Sequence, residues 1–393
     1  MKQLMLVAAV AAALPGLALA DGTSVEIYGA IGVMTERVEA RGATDASKDQ
    51  SARLRVSDMS SRIGFRGRED LGDGLWAIWQ IEQATRVDDA ASAAWASRNS
   101  FVGLKGGFGT VRLGRYDMPY KEIGGDLDVM TTAQFSPING TYSRFEQRAG
   151  NLVQYESPAF GGVKLRLAYQ PDENKGTLNQ QTLDGAVEYA AGGLNLAAAV
   201  ERRDDVRAVI DSGAAAGDRS TGYKLTAQYA TGAWYVGGGL ERIESKPNAG
   251  AKLRQDGWML AATYLVAPAT RLMASYSSVG ELDGKAAAAD YKANQASLGA
   301  TYDFSKRTRG YLFYTRIDNS AAQKLNFSFG SLAGVAAGRI RLRSGLACGT
   351  SSERQATACR RCPTASSGAA SSDRSALHWV RTLPTLSLRE RAG

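Results

Sequence analysis

The feature that most constrains this chain is an alternating strand pattern that recurs as hairpins. Leu225, Ala227 and Tyr229 close one run, Thr231-Gly232-Ala233 turns, and Trp234, Val236, Gly238 and Leu240 open the next. Leu260, Ala262 and Tyr264 lead through Pro268 to Leu272, Ala274 and Tyr276. Leu298, Ala300, Tyr302 and Phe304 pass through Ser305-Lys306-Arg307 to Tyr311 and Phe313. Val187 and Tyr189 pass through Gly192-Gly193 to Leu194, Leu196, Ala198 and Val200. A period of two gives each strand one apolar and one polar face. The polar face is too charged, and the strands too numerous, for a soluble sandwich. Aromatic residues beside short turns suit a membrane–water interface. Tyr169, Tyr189, Tyr229, Tyr264, Tyr276 and Tyr302 would form such a girdle. The pattern predicts an all-β fold, a transmembrane antiparallel β-barrel with short turns on one side and long loops on the other.

The start of the chain agrees with export. Residues 1–20 read as a secretory signal peptide: Lys2, an apolar run over 4–14, and Ala18-Leu19-Ala20 before Asp21. No later apolar run is long enough for a spanning helix. A membrane chain without such helices must be a closed barrel, because lipid satisfies no backbone hydrogen bonds. The mean hydropathy of −0.24 is compatible with this, since alternating strands average out. No linker divides residues 21–338, which predicts one large barrel. Glycine in strands, as in Val236-Gly237-Gly238-Gly239, marks places where a barrel bends or side chains crowd.

The net charge of +8 belongs to the tail. Ten arginines and three carboxylates after residue 338 give +7, and Lys2 adds one, so residues 21–338 are neutral overall. No nucleic-acid partner is implied. Residues 339–393 also hold Cys348, Cys359, Cys362 and His378, and they lose the alternation after Arg339-Ile340-Arg341-Leu342-Arg343. Cys359-Arg360-Arg361-Cys362 lacks the second pair a zinc site wants. This Arg/Ser/Ala-rich tail reads as out-of-frame translation and is expected to be disordered. Reading each codon from its third base, starting at Gly338, permits Ala-Asp-Pro-Phe-Ala-Leu-Gly-Leu-Gly-Val-Arg-His-Phe-Phe-stop. That peptide alternates and ends in an aromatic, as a closing strand would.

The first third carries the most specific blocks. They are Val25-Glu26-Ile27-Tyr28-Gly29, then Ser61-Arg62-Ile63-Gly64-Phe65-Arg66-Gly67-Arg68-Glu69-Asp70-Leu71-Gly72-Asp73-Gly74-Leu75, then Ala77-Ile78-Trp79-Gln80-Ile81-Glu82-Gln83. Arg98-Asn99-Ser100-Phe101-Val102-Gly103-Leu104 and Gly107-Phe108-Gly109-Thr110-Val111-Arg112-Leu113-Gly114-Arg115 follow. Ile63, Phe65, Leu75, Ala77, Trp79 and Ile81 suit lipid, so Arg62, Arg66, Glu82 and Arg112 are expected to face the lumen. Residues 69–74 read as a polar turn. Between Arg115 and Asn151 the alternation vanishes, and unstructured stretches of that length are uncommon unless functional. The stretch carries Glu122, Asp126, Asp128, Arg144 and Arg148.

Together these blocks resemble the general diffusion porins of Gram-negative outer membranes, of the β-proteobacterial kind, over residues 21–338. The resemblance implies about sixteen strands, a homotrimer in outer-membrane lipid, and a third external loop, 116–148, folded into the pore. It implies passive diffusion of small hydrophilic solutes and ions, with no cofactor. It places Arg62, Arg98 and Arg148 at the constriction. Glu122, Asp126 and Asp128 of the loop would face them and set a transverse field. It also implies an assembly machinery that reads an aromatic at the end of the closing strand, which makes the sixteenth strand doubtful here.

Three other readings compete. An outer-membrane enzyme would need a nucleophile and base near the rim, and the one histidine lies in the tail. A substrate-specific channel, for sugars or organic anions, would carry aromatic tracks along its lumen. A non-functional product of a frameshifted gene is the third.

Overall fold

The structure, a computed structural model, describes residues 24–351 except 90–93, 131–134, 175, 208–209, 211–213, 328–330 and 336–337. The expected signal peptide, the CxxC and the histidine lie outside the described residues, and from 338 to 351 only the backbone is described.

Eighteen strands form one sheet among the described residues. They are β1 (Ser24–Ala30), β2 (Gly32–Ala43), β3 (Gln50–Asp58), β4 (Arg62–Gly72), β5 (Leu75–Ala84), β6 (Ser100–Gly106), β7 (Gly109–Asp117), β8 (Arg148–Glu156) and β9 (Val163–Gln170). The second half comprises β10 (Thr182–Ala191), β11 (Leu194–Asp204), β12 (Arg219–Thr231), β13 (Trp234–Lys246), β14 (Leu253–Ala267), β15 (Thr270–Asp283), β16 (Ala293–Asp303), β17 (Arg309–Asn319) and β18 (Gly338–Ser351). A single helix, α1 (Pro119–Gly125), sits between β7 and β8. β1 pairs with β4 and β2 with β3, each antiparallel, so these four make two long staves of an unbroken hairpin. The eighteen strands are therefore sixteen staves.

Every neighbouring pair is antiparallel, and the pairings run round the ring from β2 through β18 and back to β2. The connections alternate in length, two to six residues at one end and six to thirty at the other. That asymmetry is the one expected of an outer-membrane barrel. The two-residue turn Asp73-Gly74 has positive φ at both positions (51° and 74°), the geometry of a tight hairpin turn. The polar turn expected over 69–74 is thus shorter, because β4 keeps its ladder through Gly72.

The closing strand corrects one expectation. Disorder was expected from residue 339 on, but Gly338–Ser351 pairs with both β17 and β2. The physical reason is that backbone donors and acceptors on two open edges cost several kcal/mol each in lipid, whatever the side chains. The strand is nonetheless irregular: its register shifts twice against β2 and once against β17. It ends opposite Gly32, so β1 has a partner on one side only among the described residues.

The two faces separate as the alternation predicts. Leu225, Tyr229, Trp234, Val236, Leu240, Leu260, Leu298 and Leu312 are exposed on the outside, and so are all six girdle tyrosines. Lumen-facing positions between them are buried or polar, as with Lys224 and Thr226 beside Leu225. An apolar outside over a polar, filled inside inverts the arrangement of a soluble domain.

Candidate functional site: a charged pore beside an inward loop

The connection of residues 118–147 runs inward and packs on the barrel wall. Pro119 at the first helical position starts α1, and Tyr120 anchors it. The Tyr120 amide donates to Asp184 Oδ2 at 2.9 Å, and its hydroxyl donates to Glu241 Oε1 at 2.8 Å. Lys224, fully buried, donates from Nζ to the Tyr120 carbonyl at 2.9 Å and to Ser143 Oγ, with its charge 3.8 Å from the Tyr120 ring centroid. A buried ammonium is tolerable only with such partners. Further round the ring, Tyr235 donates to the Asp126 carbonyl at 3.1 Å and Ser297 to the Phe135 carbonyl at 2.6 Å. Phe135 stacks on Phe313 at 5.1 Å, within a cluster that includes Met34, Met130, Met259 and Met273. The loop therefore crosses the lumen from β10 to β17.

Glycines make room for it. A Cβ at Gly239 would lie 2.0 Å from the Tyr142 hydroxyl, and one at Gly222 2.4 Å from the Phe145 ring. These inward positions are empty because the loop occupies the space.

The opposite wall stays uncovered and carries charge. Arg98 and Arg62 converge on Glu82, which is 7% exposed. Arg98 is in direct contact with it and Arg62 Nε is 3.8 Å away, while Tyr28 donates its hydroxyl at 2.9 Å. Burial, then the neighbouring charge of Arg148 and also that of Arg62, lower the Arg98 pKa below the ordinary arginine value, with Glu82 opposing. Arg98 remains a cation at neutral pH. Arg148 Nη2 lies 3.1 Å from Asp117 and its Nε donates to Asn99 at 2.7 Å. Lys121 of the loop meets Glu146 at 3.0 Å and Asp117 at 3.7 Å.

The loop carboxylates take other partners. Glu122 lies 3.6 Å from Arg166 of β9, which also meets Glu156 at 3.1 Å and Glu188. Arg112 completes that group 3.9 Å from Glu156, its guanidinium 5.5 Å and 4.9 Å from the Phe101 and Tyr116 ring centroids. Burial pushes the Glu122 carboxyl up to about 7 against the attraction of Arg166. Asp126 closes the C-terminus of α1, and Asp128 accepts from the Met130 amide at 3.0 Å. Arg66 forms a two-pronged pair with Glu26 at 2.9 Å on each prong. So Arg62, Arg98 and Glu82 come together, Arg148 joins them through Arg98, and Glu122 belongs to a second group with Arg112. Asp117, Arg166 and Glu156 were not singled out from sequence; their inward register beside the expected residues was the available signal.

A sixteen-stave ring, an apolar exterior and an inward loop beside a charged wall define a channel-forming barrel of the outer-membrane type. The model of the Gram-negative porin family matches residues 7–322, and the chain belongs to that family. The major outer membrane protein P.IB of Neisseria meningitidis serogroup B is 32% identical over 311 residues, covering 77% of this chain and 89% of that protein. The P.IB protein of Neisseria gonorrhoeae is 32% identical, with 77% and 90% covered. Among solved structures, the anion-selective porin from Comamonas acidovorans superposes with a TM-score of 0.69 at 25% identity, covering 84% of this chain and 99% of that one. The trimer form of OmpT from Vibrio cholerae superposes at 0.63 with 19% identity, again covering 84% and 99%, a likeness of fold. The chain is an outer-membrane porin, a channel for passive diffusion. Its relatives are channels, not enzymes.

Proposed function

We propose that this porin favours anions, and that Arg62, Arg98 and Arg148 form its selective constriction opposite the inward loop. One observation carries the reading: the guanidiniums of Arg62 and Arg98 both converge on the Glu82 carboxylate, on the wall that the inward loop leaves uncovered. Rings of charged side chains choose ions by sign. The similar porin from Comamonas acidovorans, which is anion-selective, agrees with it. Glu122, Asp126 and Asp128 supply the opposing negative side, with Glu122 acting through Arg166 rather than directly on Arg62. Arg66, Glu82 and Arg112 line the lumen beside them.

Assembly as a homotrimer is part of this reading. The most exposed side chains of β1 to β6 are aliphatic, such as Val25, Ile27, Leu54, Val56, Ile63, Ile81 and Val102, with Phe65 and Trp79 only partly exposed, whereas β10 to β17 carry the aromatic belt. A face poor in exposed aromatics suits protein contact better than lipid headgroups. We also read residues 1–20 as the export signal and residues 339–393 as out of frame. The test of selectivity is the reversal potential of the protein in a planar bilayer under a potassium chloride gradient. A potential of the chloride sign supports the reading; one of the potassium sign overturns it.

A further inference from the structure

Two guanidiniums on the open wall rest one face on an aromatic ring and turn the rest of the side chain to the lumen. Arg66 lies 5.0 Å from the Tyr28 ring centroid, and Arg68 lies 5.0 Å from that of Trp76. The Tyr28 ring is held. Tyr28 lies flat over Gly64, where a Cβ would fall 2.3 Å from its ring, and its hydroxyl is fixed by Glu82. Arg66 is fixed by Glu26, yet its side chain stays 35% exposed, and Arg68 is exposed. Arg112 differs: the edge-to-face pair of Phe101 and Tyr116 lies beside it and it is only 14% exposed. Positions 62, 66 and 68 of β4 are inward and step from the constriction toward the short-turn end, with Tyr28 on β1 and Trp76 on β5 at either side.

We propose that this column is a track for small aromatic carboxylates of the benzoate class. It rests on the anion-favouring reading above and names the solute that reading leaves open. Arg68 offers a fork of N–H donors that pairs with a carboxylate, and Arg66, whose fork is held by Glu26, offers the flat face that Tyr28 leaves open. Trp76 offers a second flat face beside it. A planar anion entering past Arg62 meets guanidinium and ring surfaces in turn, whereas a puckered ring of the same charge gains only the ion pairing.

The experiment uses the full chain refolded in detergent and inserted in planar bilayers. Bi-ionic potentials are read with potassium chloride on one side and potassium benzoate or potassium cyclohexanecarboxylate on the other. The two anions match in charge and nearly in size, and the second is the more hydrophobic. Benzoate is expected to be about threefold more permeant than cyclohexanecarboxylate, the scale of an exposed cation–π contact. Arg66→Lys keeps the charge and loses the flat face, and Trp76→Leu loses the ring; each is expected to shrink the ratio toward one. Equal permeability of the two anions in the native chain, or a ratio untouched by both substitutions, overturns the track. The chloride gradient measurement is separate, so a channel that favours chloride and treats the two organic anions alike refutes this inference alone.

Discussion

The two halves of the barrel wall use the same outward pattern and opposite inward ones. From β10 to β17 many lumen positions are small or hydroxylated, among them Ala186, Ala199, Thr226, Gly239, Thr263, Ser275, Ser277, Ser297 and Thr315, and the larger ones, such as Asp184, Lys224, Tyr235, Glu241 and Phe313, are buried against the loop. The loop lies on this half and fills it as a core would. From β4 to β9 the lumen positions include Arg62, Arg66, Arg68, Glu82, Arg112, Glu156 and Arg166, in ion-paired groups with the pore beside them. One half is a packing surface and the other an electrostatic one. The outward alternation places a strand in lipid; the size of the inward residues decides which half receives the loop.

The comparison breaks most visibly if the packing half loses its space. Gly239→Val would place carbon atoms where the Tyr142 hydroxyl sits, 2.0 Å from the position of a Cβ. Overpacking of this kind costs about 1–3 kcal/mol. The loop is expected to leave the wall, and single-channel conductance to change markedly with little change in barrel content by circular dichroism.

The closing strand tests both halves at once, because it joins β17 of one to β2 at the edge of the other. Restoring the alternative frame at the Gly338 codon replaces an irregular strand by an alternating one ending in an aromatic. Heat-resistant trimer on unheated gels is expected to rise strongly over the chain as written. Equal amounts from both genes would show that the present strand suffices.

Changes confined to the electrostatic half are expected to shift selectivity with the barrel intact. Glu82→Gln removes the carboxylate shared by Arg62 and Arg98, so the chloride preference should increase. Because two guanidiniums then lose their anchor, a drop in conductance should accompany it. A smaller effect comes from pH. The Glu122 carboxyl, raised by burial to about 7, is mostly neutral below that value and gains negative charge above it. Chloride preference should therefore fall modestly between roughly pH 6 and roughly pH 8, and Glu122→Gln should abolish the dependence.

Much of this was legible in the sequence because alternation is a local property. Tyr229 and Trp234 bracket a turn and face outward, as their spacing says, and the stretch without alternation coincides with the inward loop. What the sequence does not carry is height within the barrel and the path of the loop. Glu122 reads as a partner for the constriction arginines, but α1 directs it to Arg166 on β9. Lys224 occupies an ordinary lumen position in its strand, and only the loop above it makes it buried. Strand β18 is paired along its backbone to β17 and β2, although the alternation of its sequence stops at Arg343.

The central claim is that the uncovered wall, through Arg62 and Arg98, sets ion preference. The direct test is the reversal potential under a potassium chloride gradient, compared between the native chain and the Arg62→Ala/Arg98→Ala double variant. The account predicts a chloride-sided potential in the native channel that moves toward the potassium side when both guanidiniums are removed. An unchanged potential in the double variant, or a potassium-sided potential in the native channel, would contradict it.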